Sequence, residues 1–186
     1  MKREIRVLGI DDGPFQKEVD KSVLLVGVLF RGGNYLDGIL SASATVDGSD
    51  ATAIISRMVL ECKFYKQLRA ILLKGISVGG FNVIDVIRLN VKIGIPVIVV
   101  CRKMPDYDRI FSALRVLDMV EKIDLIRTIP TPLFMNGVYV QAVGCSSEHA
   151  KEILMKTTTH AHIPEPLRVA HMIASGMVLG ESRGRA

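Results

Sequence analysis

The chain has 186 residues, the size of one domain, and 49% of them are hydrophobic, enough for a substantial core. Its 24 Lys and Arg against 19 Asp and Glu leave a net charge of +5, which permits contact with a phosphate backbone without demanding it. The three cysteines, Cys62, Cys101 and Cys145, are odd in number and far apart in apolar segments, which argues against a disulfide framework and for a reducing compartment.

The start, Met1-Lys2-Arg3-Glu4, leads straight into a strand, so no signal peptide is expected and a cytoplasmic location follows. Ile5–Ile10 is a short apolar strand stopped by Asp11-Asp12-Gly13-Pro14. Ser22–Phe30 is a second strand, and Arg31-Gly32-Gly33-Asn34 suits a hairpin turn into a third, Tyr35–Val46. The runs near Val23–Phe30 and Ile95–Cys101 are too short to cross a bilayer, so no membrane partner is expected.

From Asp50 the period changes. Ile54, Ile55, Met58, Val59 and Cys62 form a helical stripe, with Asp50 placed to cap it. Arg69–Leu73 is a buried-type strand. Val83–Lys92 reads as a helix ended by Gly94, and Ile95–Cys101 as another buried strand. Asp106–Leu117 is helical. Asn136-Gly137 joins Leu133–Met135 to Val138–Val143 in a hairpin. Ser147–Thr157 and Pro166–Leu179 are helices, the second with Ala170, Ile173, Ala174, Met177 and Val178 as its buried stripe. This order predicts one α/β domain over residues 1–186, with a central mixed five-stranded sheet, helices on both faces, and a C-terminal hairpin and helices. A doubly wound dinucleotide fold would place a helix after the first strand, and none is visible there.

Several segments can carry chemistry. Asp11 and Asp12 close the first strand, where carboxylates can converge on Mg²⁺ or Mn²⁺, or merely form an acidic turn. Asp47 and Asp50 are the second acidic group, with a turn residue and a helix cap as the plain alternatives. Lys74-Gly75-Ile76-Ser77-Val78-Gly79-Gly80 is glycine-rich but fits neither the dinucleotide nor the P-loop pattern. Gly79 and Gly80 let the backbone approach a ligand or a neighbouring element, and Asp85 is a cap or a helix-face carboxylate. Arg102 and Lys103 at a strand end can meet a phosphate or stay solvated. His160-x-His162 lacks the remaining ligands of a zinc site, and Arg183-Gly184-Arg185 is a basic tail. On the last helix Arg168, His171 and Ser175 share a polar face. That face meets nucleic acid or bonds internally to Glu165 or the acidic cluster.

The string Ile163-Pro164-Glu165-Pro166-Leu167-Arg168-Val169-Ala170-His171 is similar to the I-P-E-P-x-R-x-A-H signature of endonuclease V. Leu8-Gly9-Ile10-Asp11 resembles that family's first strand, and Ile95-Pro96-Val97-Ile98 its fifth. Taken together the chain resembles an archaeal branch of endonuclease V-like proteins. The resemblance implies a ribonuclease H-like fold and a Mg²⁺-dependent cut near a deaminated base. Asp11 would be the first metal ligand, Asp47 or Asp50 the second carboxylate, and Arg102 would stand at the family's catalytic lysine. Cys145 falls where the family has Gly-His.

Two departures stand out. Lys74-Gly75 replaces an Asp-Gly that supplies a third carboxylate, and a protonated lysine repels the ion. The site would then hold one metal, recruit Asp12 or Asp85, or bind none. The Pro-Tyr-Ile-Pro wedge is also missing, its region being Thr45-Val46-Asp47-Gly48. The expectation is a metal-dependent endonuclease with DNA or RNA as partner. Asp11, Asp12 and Asp50 would hold the metal, Asp11, Asp47, Asp50 and Arg102 would be catalytic, and Lys74, Gly79, Gly80, Lys103, Arg168 and His171 would contact substrate. The alternatives are a nucleic-acid-binding protein with altered catalysis, favoured by Lys74, and a small-molecule enzyme, which a closed apolar cavity would favour over an open basic groove.

Overall fold

A computed structural model describes residues 4–184. Met1, Lys2, Arg3 and, in the basic tail, Arg185 lie outside the described residues. The chain opens with three strands, β1 (Arg6–Asp12), β2 (Ser22–Arg31) and β3 (Tyr35–Thr45), paired antiparallel as a meander. Helix α1 (Ala51–Leu60) leads to a 3₁₀ turn at Tyr65–Gln67 and to β4 (Leu68–Lys74), which lies parallel to β1 on its free side. A short hairpin of β5 (Ser77–Val78) and β6 (Asn82–Val83) precedes α2 (Val86–Ile93). Strand β7 (Val97–Cys101) lies parallel to β4. Helices α3 (Tyr107–Val116) and α4 (Glu121–Arg127) follow, then β8 (Leu133–Met135), β9 (Val138–Val143), α5 (Ser147–Thr157) and α6 (Glu165–Leu179).

The main sheet has seven strands in the order β3-β2-β1-β4-β7-β9-β8. Five were expected. The C-terminal hairpin does not stand apart, because β9 pairs antiparallel with β7 and extends the sheet. The middle residues of β1, β4 and β7 are apolar because both faces of these strands are covered, and the polar residues stand toward the strand ends. Leu8, Ile10, Leu25, Ile71, Leu73, Val97 and Val99 pack under α1 and α2. Val7, Val26, Val28, Leu72, Ile98 and Val100 face the other way, toward Ala150, Ile153 and Leu154 of α5 and Leu167, Ala170 and Ala174 of α6. A third cluster joins Val83 to Leu114, Ile123 and Ile126 of α3 and α4.

Other boundaries moved for local reasons. The helix expected from Val83 begins at Val86, since Asn82 and Val83 pair with Ser77 and Val78, and Asp85 caps it by accepting from the Arg88 N–H. Asp50 sits at the start of α1 but makes no side-chain cap. Helix α4 was not anticipated. On α6 the buried stripe runs through Leu167, Ala170 and Ala174, while Met177 and Val178 are exposed. Strand β1 and α6 approach closely at Gly9, where an added Cβ would lie 2.5 Å from the Pro166 carbonyl carbon and 2.8 Å from the Leu167 nitrogen. That contact sets the height of α6 above the end of β1.

Candidate active site

Parity along β1 decides which way each acid points. Leu8 and Ile10 face α1, so Asp12 leaves the strand on that side. Asp11 shares the side of Val7, beneath α6. The parallel register sets Ile10 beside Leu73, which brings Lys74 alongside Asp11. The Lys74 ammonium donates to Asp11 Oδ2 at 3.0 Å. His171, one turn beyond Leu167 on α6, places its Nδ1 at 3.0 Å from the same oxygen and 3.0 Å from Lys74 Nζ. A ring nitrogen either donates or accepts, so Nδ1 is hydrogen-bonded to only one of these partners at a time. Asp11 is buried and its Oδ1 accepts from the Asp12 N–H at 3.0 Å. His171 Nε2 is buried too, without a hydrogen-bond partner among the described residues.

Across the sheet a second polar cluster serves the loops. Asp12 Oδ2 accepts from the Gly79 N–H at 2.7 Å. Burial, with Asp11 adding to it, pushes the Asp12 carboxyl up to about 6. The Asp47 N–H donates to the Gly79 carbonyl, and Asp47 Oδ1 accepts from the Phe81 N–H at 2.7 Å. Asp50 Oδ2 accepts from the Thr45 hydroxyl at 2.7 Å and its Oδ1 from the Asn82 amide at 2.6 Å. Burial works against the charge on Asp50, but these bonds outweigh it and hold its carboxyl below the usual range. Lys122 of α4 is buried and donates to the carbonyls of Asp47, Gly48 and Phe81 at 2.8 to 2.9 Å. Nothing in the amphipathic pattern of α4 singled it out. Asp47, Asp50, Gly79 and Gly80 therefore brace the turn after β3 against the β5–β6 hairpin. The structure brings neither Asp47 nor Asp50 to Asp11.

His171 also lines a cavity of about 1050 Å³. Arg102 and Lys103, just past β7, line one wall. His160, His162, Arg168, His171 and Met172 line the other. Gly79 and Gly80 take no part in it. Arg168 is held in place by Glu165, which accepts from its Nε at 2.9 Å and from Nη2 at 2.6 Å. Burial opposes the charge on Glu165, yet these two charge-assisted bonds, both to its Oε2, keep its carboxyl below the ordinary range. The polar face of α6 thus bonds internally, to Glu165 and to the acidic residue of β1. Arg168 bonds Glu165 and lines the cavity, and His171 bonds the acid and lines it as well. Ser175 is buried and bonds the backbone of Arg183.

A divalent cation does not fit this donor set. Among the described residues no three His, Cys, Asp or Glu side chains come together. Asp12 points away from Asp11, Asp50 is committed to Thr45 and Asn82, and Asp85 caps α2. An ion about 2.1 Å from Asp11 Oδ2 would lie within about 5 Å of the Lys74 ammonium, which is 3.0 Å from that oxygen. At an effective dielectric constant of about 20 that is roughly 7 kcal/mol of repulsion before any rearrangement.

The succession of antiparallel meander, parallel pair and covering helices is a ribonuclease H-like fold. Endonuclease V of Bacillus subtilis shares it with a TM-score of 0.61 at 11% identity, over 94% of this chain and 80% of that one. Endonuclease V of Ciona intestinalis, in complex with DNA containing an inosine, gives a TM-score of 0.62 at 15% identity, over 95% and 87%. The sequence matches the endonuclease dU family over residues 3–178, and the chain belongs to that family. The UPF0215 protein of Methanothermobacter thermautotrophicus is 47% identical, over 100% of this chain and 94% of its own length. A protein of unknown function from Archaeoglobus fulgidus has a TM-score of 0.87 at 33% identity, over 93% of this chain and 98% of that one.

Proposed function

We propose that the chain is a nucleic-acid endonuclease that cuts a strand beside deoxyuridine, the product of cytosine deamination. The observation that carries this is the meeting of Asp11, Lys74 and His171 at the end of the central strands, with His171 also lining a cavity that Arg102, Lys103 and Arg168 share. The family name and the DNA bound to the Ciona neighbour support the substrate class. The cavity is open and edged by cations, which suits a strand better than an enclosed metabolite.

In this reading Arg102, Lys103 and Arg168 hold phosphates, and the Glu165 fork keeps Arg168 from swinging away. Lys74 offsets the charge that builds on the non-bridging oxygens as water attacks. Asp11 and His171 are the groups placed to orient that water and accept its proton. Repair of deaminated DNA is the role such a cut would serve.

The test uses end-labelled strands containing one deoxyuridine, one deoxyinosine or neither, with and without Mg²⁺. Wild type should nick the deoxyuridine strand, and Asp11→Asn should be slower by about 10²–10⁴-fold. Cleavage that is equal in both proteins, or absent from both, overturns the reading. Lys74 supports a second reading, a strand-binding protein with altered catalysis. Salt-dependent binding without any nicking would select it.

A further inference from the structure

We propose that the Lys74 ammonium is the resident cation of this site, so that the site engages a phosphodiester without a divalent ion. The charge balance is the first argument. Asp11 is a buried carboxylate, and a buried anion needs a positive partner or extensive hydrogen bonding. Lys74 supplies that partner at 3.0 Å from the ending of the neighbouring parallel strand. The side chain is about a quarter exposed, and its ammonium also lies 3.0 Å from His171 Nδ1, a residue that lines the cavity.

The second argument is the donor count. Mg²⁺ requires near-octahedral oxygen ligation and is usually held by one or two carboxylates plus phosphate and water. Here Asp11 Oδ2 lies 3.0 Å from both Lys74 Nζ and His171 Nδ1, its Oδ1 accepts from the Asp12 N–H, and Glu165 on the same side is bonded to Arg168. Asp12 cannot be recruited by a side-chain rotation, because its carboxylate leaves the opposite face of the strand and anchors Gly79. An ammonium donates three hydrogen bonds and brings its charge on a tethered side chain. It therefore performs at this position the neutralising task of an ion, and it keeps the ion out. The identity of the ligand rests on the endonuclease reading; the exclusion of the ion rests on geometry alone.

Electron paramagnetic resonance of free Mn²⁺ decides the exclusion, measured on wild type, Asp11→Asn, Lys74→Asp and the double variant Lys74→Asp with Asp11→Asn. Wild type and Asp11→Asn should bind Mn²⁺ to the same extent, Lys74→Asp should gain a bound ion, and the double variant should lose it. Loss of bound Mn²⁺ on passing from wild type to Asp11→Asn overturns the proposal. So does a Lys74→Asp protein that melts cooperatively and gains no ion. If Lys74→Asp does not fold, the wild type and Asp11→Asn comparison decides by itself. Fluorescence anisotropy of a labelled deoxyuridine strand, with EDTA or with Mg²⁺, then reads the ligand. Equal affinity in both buffers supports the proposal, and loss of binding in EDTA overturns it. A strand that binds in neither buffer defeats the endonuclease reading, while the Mn²⁺ result still judges Lys74.

Discussion

At the scale of single residues, neighbouring acids in one strand have opposite fates. Asp11 meets a lysine and a histidine, whereas Asp12 is half-buried against a loop N–H with its carboxyl pushed up to about 6. A raised acid binds its proton in the folded protein at pH values where the unfolded chain has released it. Stability therefore falls as pH rises from about 4 through 6, and Asp12 is a net cost at pH 7. Asp12→Asn keeps an acceptor for the Gly79 N–H and removes the charge. We expect it to raise stability at pH 7 by about 1–3 kcal/mol, with the gain vanishing below about pH 4. Thermal melts of both proteins across that range check this. A gain that persists unchanged in acid contradicts the assignment.

Among the elements, the contact of β1 with α6 governs the site. Gly9 lets the Pro166–Leu167 backbone lie against the strand, and His171 follows one turn later. Gly9→Ala should cost about 1–3 kcal/mol by overpacking and should lift His171 from Asp11. A drop in melting temperature together with a loss of nicking beyond the folded fraction would show both effects. Lys122 plays the comparable part on the other face. Lys122→Met removes a donor from three loop carbonyls, of which only that of Phe81 keeps another in the Val83 N–H, and should destabilise the protein by about 2–4 kcal/mol, read by chemical denaturation. A neutral result would mean that water replaces the ammonium.

The elements were largely legible in the sequence because apolar period and turn residues are local signals. Asn136-Gly137, Gly94 and the Pro164–Pro166 start all stand where they were read. What was not legible is non-local. The joining of β9 to β7 depends on chain return, and the use of Asp50 depends on Thr45 and Asn82 arriving beside it. Of the residues expected at the site, Asp11, Lys74, Arg102, Lys103, Arg168 and His171 stand along one face. Asp12, Asp47, Asp50, Gly79 and Gly80 belong to the loop bracing on the other. Strand parity could have separated Asp11 from Asp12, since adjacent residues in a strand point to opposite faces.

For the molecule as a whole, a net charge of +5 is modest, and its use depends on placement. Arg102, Lys103 and Arg168 gather around a single cavity, beside the helix face that carries His171. Strand affinity should therefore fall with salt, and Arg102→Ala should reduce the slope of log affinity against log salt by about 1. Among the described residues no helix is long and apolar enough to cross a membrane.

The most direct measurement is a crystal structure of the Asp11→Asn protein with a deoxyuridine-containing strand. The account predicts a backbone phosphate between Arg102 and Arg168, with the adjoining phosphodiester within hydrogen-bond reach of the Lys74 ammonium and His171. A strand lying instead along the α1–α2 face, or along the outer edge of β3, would contradict it.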